Sequence, residues 1–212
     1  MSIVNGYTDL TTVKDRLGIP STNTKYDTRL DTIIQAVSRW VDAHCGRFFY
    51  QANQTRYYTT PNTYPFLVDG RLWAGPYLWI DDLVSVTQIA TDFDGDGVFE
   101  DVWATSDYYL QPYNAPLAAI PEPYTHIEIA PYGRQAFPAI PRGAMVQGIW
   151  GWPEIPDAVS EATVLQTIRL FRRGDAPFGV VGSHEFGQAM PTAMVDPDVR
   201  FLLAVFRRLA VG

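Results

Sequence analysis

The period of the hydrophobic pattern changes twice along the chain, and this constrains the fold more than any other sequence feature. Up to about residue 46, apolar side chains recur every three or four positions, the period of an amphipathic helix. From about 48 to 152 they form short runs rich in β-branched and aromatic residues, separated by Pro, Gly, Asn and Asp. Helical periodicity returns at Pro156. The pattern predicts an α+β fold: a small helical bundle of two N-terminal and two C-terminal helices, with an inserted antiparallel β-rich subdomain.

The same changes predict three segments. Residues 1–47 are expected to hold the N-terminal helices of the bundle, and residues 48–152 the β-rich insertion. Residues 153–212 are expected to hold the C-terminal helices, with a flexible loop and a docking tail. Helices that precede and follow such a middle are most simply packed against one another.

Two N-terminal helices are predicted, each with start and stop signals. The first runs from Asp9 to Leu17 and ends at Gly18. The second begins at Asp27 and ends at Gly46, and its apolar residues share one face of the helix. That face holds Leu30, Ile33, Ile34, Val37, Trp40, Val41 and Cys45.

The C-terminal helices are predicted on either side of a glycine-rich loop, residues 174–191. The helix that starts at Pro156 has acidic residues early and arginines late, which complements the helix dipole. Its apolar residues surround most of its circumference, so we expect it to be buried between layers or between subunits. The last helix is expected over 196–209, with arginines opposite an apolar face. That face is predicted to hold Phe201, Leu202, Val205, Phe206 and Leu209.

The middle of the chain contains six runs with strand character. They are FFYQANQTRYY, LWIDDLVSVTQIATD, VFEDVW, DYYLQ, THIEIA and AMVQGIWGW. Proline-dense connections such as LQPYNAPLAAIPEPY separate some of them and cannot run through a central strand. We therefore expect a compact antiparallel sheet or a small barrel.

Composition excludes several classes of protein. A hydrophobic fraction of 47% with 18% charged residues is typical of a globular chain. The net charge of −7 argues against a broad basic surface that grips nucleic acid. Cys45 is the single cysteine, which rules out an internal disulfide and a thiolate zinc site and favours a buried apolar role. The N-terminus has no signal-peptide pattern and no apolar run approaches membrane-spanning length, so we expect a soluble cytosolic chain without a membrane partner.

The stretch DFDGDGVFE begins like a calcium loop. Asp92, Asp94 and Asp96 alternate with other residues and a glycine follows, the D-x-D-x-D-G order that supplies hard oxygen ligands. Glu100 stands at the ninth position, whereas the twelfth, where an EF-hand places its bidentate glutamate, is Trp103. The flanks are strand-like, and Asp-Gly pairs also suit turns. Two alternatives follow: a polar hairpin, or the same hairpin held by a structural calcium ion bound by Asp92, Asp94, Asp96 and Glu100.

Catalytic signals are weak. His44 lies on the apolar side of the second helix and His126 in a strand, and both are expected to be structural. His184 and Glu185 have the letters of an acid–base site, but neighbours in a loop seldom converge on one atom. Phosphate-loop, nucleophile-elbow and zinc-protease motifs are missing from the sequence. We expect no enzymatic activity and no catalytic residues.

Ordered motifs across most of the chain resemble the head-tail connector (adaptor) proteins of tailed bacteriophages. They are VKDRLGI, AVSRWVDAHCGRFF, DYYLQPYNAP, IWGWPEIPDAVSEAT and, with an intervening gap, RRGDAPFGVVG and DPDVRFLLAVFRR. The resemblance implies a helical bundle with a β-rich extension that assembles as a ring, by resemblance twelve-fold, under the portal. It also implies a virion location at the head-tail junction after assembly in the host cytoplasm.

The resemblance further implies three partners. These are the portal protein, a downstream neck or tail protein, and DNA that passes through the ring without sequence-specific binding. In the family the C-terminal segment commonly engages the portal, which carries over to about 196–211. The portal-docking residues are then Phe201, Val205, Phe206, Arg207 and Arg208.

Three other functions remain open at this point. The first is a tail-side neck protein, a stopper or terminator, although those tend to be β-rich throughout. The second is a calcium-stapled β module that binds sugar or a cell surface, which requires Trp73, Tyr77 and Trp79 to be exposed on one face. The third is a hydrolase that uses His184 and Glu185.

Overall fold

The computed structural model describes residues 3–60, 66–68, 71–131, 135–174, 180–181, 190–191 and 195–208. The chain divides into two compact units. The helical unit comprises Met1–Tyr50 with Ile155–Gly212, and the β unit comprises Gln51–Glu154. The elements confirm the predicted α+β class.

The described residues of the helical unit form four α-helices and a short strand pair. The helices are α1 (Leu10–Leu17), α2 (Asp27–Cys45), α3 (Asp157–Arg173) and α4 (Pro197–Leu203), and a 3-10 turn, Ala204–Phe206, continues α4. Two short strands, Val180–Val181 and Met190–Pro191, pair antiparallel inside the segment for which the sequence predicts only an aperiodic loop.

The ends of α1 and α2 follow the predicted signals. Asp9 caps α1 by accepting a 2.8 Å hydrogen bond from the backbone N–H of Thr12. Gly18 and Gly46 end α1 and α2 in the left-handed conformation, with φ of 70° and 65°. The predicted apolar face of α2 supplies core residues, but Ser38 is also buried there, because its hydroxyl accepts from the backbone N–H of Tyr7 and donates to the carbonyl of Ile34.

Helix α3 packs against all three other helices, which explains why its apolar residues are not confined to one stripe. Its buried side chains are Val159, Ala162, Thr163, Val164, Gln166, Thr167 and Phe171. The carbonyl of Phe171 accepts a 2.9 Å hydrogen bond from Arg29, whose guanidinium also lies 4.7 Å from the Phe171 ring centroid. The end of α3 is therefore fixed to the start of α2.

Phe49 lies at the centre of an aromatic group in the helical unit, although its sequence context predicts a strand. It is buried and makes edge-to-face contacts with Tyr7 at 5.6 Å and with Phe206 at 5.7 Å. The Tyr7 hydroxyl donates to Asp42 and accepts from the backbone N–H of Phe49. Burial and the contact with Asp42 raise the pKa of Tyr7, so this hydroxyl stays protonated and remains a donor.

The described strands of the β unit are β1 (Ala52–Tyr58), β2 (Phe66–Val68), β3 (Arg71–Trp73), β4 (Tyr77–Thr91), β5 (Asp101–Val102), β6 (Tyr108–Gln111), β7 (Tyr124–Ile129) and β8 (Ala144–Trp150). The unit is built on one antiparallel sheet with strand order β1-β8-β4-β7-β6, and β5 pairs with the end of β4. Strands β2 and β3, for which the sequence gives no strand prediction, form a separate antiparallel pair.

The long strand β4 organises this sheet, because it pairs with β5, β7 and β8. Its pairing with β8 shifts register on both sides of Ser85 and Val86. Gly148 lies opposite Val86 in that segment, and a Cβ there would lie 2.1 Å from the carbonyl oxygen of Ser85. The glycine is required because the backbone of β4 occupies the place of a side chain.

The negative charge of the protein is concentrated in the β unit. Residues 51–154 hold 12 of the 23 acidic residues but four of the 16 Lys and Arg, which gives a formal charge of −8. The remaining residues have a formal charge of +1.

Among the described helices, none combines the length and apolar composition needed to cross a membrane.

Candidate docking surface and acidic loop

The last helix buries only part of the apolar face predicted for it. Asp196 caps α4 by accepting a 3.0 Å hydrogen bond from the backbone N–H of Asp198, and proline occupies the first turn. The buried side chains are Val199, Leu203 and Phe206. The predicted apolar face is only partly buried: Phe206 is in the core, whereas Phe201 and Val205 are exposed, because the inward-facing positions 199, 203 and 206 follow the ordinary spacing of an α-helix. The helix predicted over 196–209 ends at Leu203 and is followed by the 3-10 turn, and Leu209 lies outside the described residues.

The five predicted docking residues therefore have different environments. Phe201 and Val205 are 80% and 81% exposed, and Arg207 is also exposed. Phe206 is 5% exposed and packs on Phe49. Arg208 is partly buried, and its backbone N–H donates a 2.8 Å hydrogen bond to the carbonyl of Cys45 at the end of α2. We define the C-terminal docking surface as Phe201, Val205 and Arg207; residues 209–211 lie outside the described part of the chain.

The charges of Arg200 and Arg207 act on His44 of α2. His44 stacks on Trp40 with ring centroids 5.0 Å apart. Burial, followed by the charges of Arg207 and Arg200, lowers the pKa of His44. The neighbourhood of the docking surface thus combines exposed apolar side chains with arginines, which suits an acidic protein partner.

Cys45 lies in the core of the helical unit. Burial raises the pKa of its thiol to about 11, so the thiolate is scarce at neutral pH.

His184 and Glu185, the residues of the hydrolase hypothesis, lie outside the described residues. Of the aromatics required by the sugar-binding hypothesis, Tyr77 and Trp79 are exposed on one face of β4, whereas the side chain of Trp73 lies outside the described part.

The acidic loop connects β4 with β5 through a set of side chain to backbone hydrogen bonds. Asp92 is 3% exposed and accepts from the backbone N–H groups of Gly95 and Gly97 at 2.7 and 2.9 Å. Asp96 accepts from the N–H of Val98 at 2.7 Å. Gly95 and Gly97 have φ of 78° and 91°, which explains the glycines of the motif.

The same loop has the donor set of a metal site. One carboxylate oxygen each of Asp92, Asp94 and Asp96 lies within 4.8 Å of the others. Two oxygens on opposite sides of one calcium ion are about 4.8 Å apart, so the three could share an ion. Glu100 is not part of this group among the described residues. Burial opposes ionisation of Asp92, but the N–H groups of Gly95 and Gly97 prevail and lower its pKa.

Replacing Asp92 with alanine is expected to lower the free energy of unfolding by about 2 kcal/mol, because two backbone donors lose a charged acceptor. Asp94→Ala, which alters an exposed carboxylate, should stay within about 0.5 kcal/mol. Chemical denaturation in EDTA measures both, and equal losses of unfolding free energy would contradict the assigned role of Asp92.

Calorimetric titration with calcium then separates the two alternatives for the loop. Binding heat that disappears in Asp94→Ala supports bound calcium, and no heat at millimolar calcium supports a hairpin without a metal ion.

Comparisons with known proteins identify the fold. No protein-family model matches the chain, and no curated protein matches it. Among solved structures, a chain in the neck of an empty gene transfer agent (GTA) particle, computed with C6 symmetry, has a TM-score of 0.54 and 15% identity. A chain in the neck of the native GTA particle, computed with C12 symmetry, has a TM-score of 0.55 and 14% identity, and one in the native GTA virion has 0.56 and 14%. Each likeness covers 100% of this chain and 96% of the other, so the protein shares, along its whole length, the fold of chains in GTA neck and virion structures.

Proposed function

We propose that this protein is a non-enzymatic structural component of the neck of a tailed-phage-like particle, a head-to-tail connector that forms a ring under the portal. The observation that carries the proposal is the full-length likeness of fold to chains from GTA necks. The ordered motifs that resemble phage adaptors support it independently of the structure. The location that follows is the virion, at the head-tail junction, after assembly in the host cytoplasm.

The proposed assembly is a homo-oligomeric ring of twelve copies. A GTA neck computed with C12 symmetry contains a chain of this fold, which supports twelve copies. In such a ring one surface of each copy meets a different surface of the next, and rotation closes the set. The excess of acidic residues between 51 and 154 suits passage of DNA, because like charge disfavours adhesion to the phosphate backbone.

An adaptor is preferred to a stopper or terminator because of the helices. The helical unit has four of them, drawn from both ends of the chain. Tail-side neck proteins, by the resemblance used above, tend to be β-rich throughout. The proposed platform for the next neck or tail protein would then lie on a different surface from the one that engages the portal.

Electron microscopy of the protein mixed with the portal of the same particle tests this proposal. The expected result is a ring of twelve copies bound to one end of the portal, and no such complex when the C-terminal docking surface is altered. A monomer that fails to bind portal and turns over a small molecule would overturn the proposal.

The C-terminal docking surface provides a sharper test. Phe201→Ser with Val205→Ser is expected to weaken portal binding roughly 10- to 100-fold, because exposed apolar anchors at the centre of an interface carry much of its affinity. Both side chains are exposed, so the fold should be retained. Val4→Ser, which changes another exposed apolar residue of the helical unit, is the matched control. Unchanged co-sedimentation of the double variant with portal would refute the assignment.

Point variants are preferable to removal of residues 196–212. Such a deletion would also remove Val199, Leu203 and Phe206 from the core. A loss of portal binding could then reflect unfolding of the helical unit. Arg207→Glu adds a charge test on the same surface, and we expect it to weaken binding to an acidic partner.

A further inference from the structure

One face of the β-unit sheet carries aromatic side chains that are not covered by any described part of the chain. Alternation along β4 directs Leu78 and Ile80 into the core, while Tyr77 and Trp79 are exposed, Trp79 by 63%. Tyr109 on β6 and Tyr113 just beyond it are also exposed, Tyr113 by 67%.

Strand register brings these residues together. Trp79 lies opposite His126, which lies opposite Gln111. Two residues further along each strand, on the same face, Tyr77 lies opposite Glu128, and Glu128 lies opposite Tyr109. Residues paired in register have side chains on the same face of a sheet. We name this group the aromatic sheet face, and it consists of Tyr77, Trp79, Tyr109, Tyr113, His126 and Glu128.

The side chains of this face support one another. The Trp79 and His126 ring centroids are 4.6 Å apart, and the Tyr77 and His126 rings meet edge to face with centroids 6.0 Å apart. Tyr109 and Tyr113 meet edge to face at 6.3 Å. These ring contacts restrict the side chains before binding, which reduces the entropy lost when a partner docks. A contiguous, pre-ordered aromatic surface of this kind marks an interaction site.

The face is acidic and contains neither Lys nor Arg. Its one charged side chain is Glu128, which accepts a 2.8 Å hydrogen bond from the amide of Gln111. Strand register also places Glu128 between Tyr77 and Tyr109 of the two adjacent strands. The β unit as a whole has a formal charge of −8, so its field attracts cations to the surface.

Elsewhere the β unit places arginine over aromatic rings. Arg56 lies 4.5 Å from the Trp150 ring centroid and Arg142 lies 4.9 Å from that of Tyr57. Within the described residues, the rings of the aromatic sheet face have no such cation. No cation of the described residues therefore competes for their π faces, on which a cationic side chain of another molecule can stack.

We propose that the aromatic sheet face docks a protein segment that presents arginine or lysine side chains. A guanidinium stacks on Trp79 or on a tyrosine, and a second cation pairs with Glu128. A second copy of the β unit fits poorly, because two surfaces of like charge would meet. The inference concerns the isolated chain and does not depend on its place in a neck.

The test measures binding of a labelled (Arg-Gly)5 peptide to the full chain by fluorescence anisotropy at 0.15 M salt. The double variant Trp79→Ala with Tyr109→Ala leaves the charge unchanged and is expected to bind at least fivefold more weakly. Val98→Ala, an exposed apolar residue outside the face, is the matched control and should bind like the wild type. Amide NMR shifts on peptide addition should concentrate on β4, β6 and β7.

A second pair of variants separates the face from general attraction by the acidic unit. Glu128→Gln is expected to weaken binding about threefold, more than Glu100→Gln with Asp101→Asn, which removes two charges outside the face. Equal binding by wild type and the aromatic double variant would overturn the proposal. The proposal would also be overturned if the wild type self-associated or bound the oligosaccharide cellohexaose and the double variant lost that binding while it still bound the peptide. Failure here would leave the neck role standing, since the portal experiment uses a different surface.

Discussion

Replacing Gly148 with alanine is expected to lower the free energy of unfolding by about 3 kcal/mol or more. The added Cβ would lie 2.1 Å from the carbonyl oxygen of Ser85 and 3.2 Å from a methyl of Leu83. The oxygen belongs to the backbone of β4, so no side-chain rotation relieves the contact. The strand itself would have to move, and β4 also pairs with β5 and β7. The loss should therefore spread through the sheet.

Gly75→Ala is the matched control for this prediction. A Cβ at Gly75 meets no atom within 4 Å, so the change should be neutral or slightly stabilising, by less than about 1 kcal/mol. Urea denaturation followed by tryptophan fluorescence measures both variants. Similar midpoints for Gly148→Ala and the wild type would show that β4 and β8 are not as close as described.

Replacing Phe49 with alanine is expected to cost about 3–5 kcal/mol, the range for large-to-small changes of a buried phenylalanine. The ring is 1% exposed and contacts both Tyr7 and Phe206. Its loss removes the partner that holds the 3-10 turn after α4. We therefore expect hydrogen exchange to accelerate in residues 199–206 before the rest of the helical unit is affected.

Phe48→Ala is the control for that experiment, because the neighbouring phenylalanine is only partly buried. It should cost less than half as much as Phe49→Ala, by chemical denaturation of both variants. Exchange in 199–206 that is unchanged in Phe49→Ala would contradict the role given to this ring in fixing the docking segment. The result matters for function because Phe201 and Val205 are carried by the same short segment.

Local signals were sufficient for most of the helices and strands. The first helix lies between Asp9 and Gly18, where a cap and a left-handed glycine act within the helix itself. Strand β8 coincides with the predicted run AMVQGIWGW up to Trp150, since alternation there reflects burial on one side. Such features depend on residues that are close together in the sequence, so the sequence alone predicts them.

Features that depend on tertiary contacts were not predictable in the same way. Phe48 and Phe49 have strand propensity, yet Phe49 enters the helical core because Tyr7 and Phe206 complete its surroundings. In α4 and the turn after it, apolar periodicity groups Phe201 and Val205 with Phe206, but the structure exposes the first two and buries the third. Which apolar positions face the core depends on the packing of Val199 and Leu203, which periodicity alone did not specify.

The aromatic sheet face lies between these cases. The alternation of Tyr77 and Trp79 can be read from the sequence, and so can that of His126 and Glu128. Their meeting depends on the register of β4 with β7, which no local pattern specifies. A glycine inside the strand run AMVQGIWGW was likewise a visible signal of close backbone approach, but its partner Ser85 was not.

The uneven distribution of charge has a consequence for how copies in the proposed ring come together. Each added copy brings another unit of formal charge −8 into the neighbourhood of the others, so electrostatic work opposes association in dilute buffer. At physiological ionic strength that repulsion is screened beyond about 8 Å. We therefore expect the free protein to stay dispersed at low ionic strength and to oligomerise once counterions, or a template that holds the copies in place, compensate for the repulsion. A chain with this charge distribution would form its ring only when the template that holds the copies in place is present.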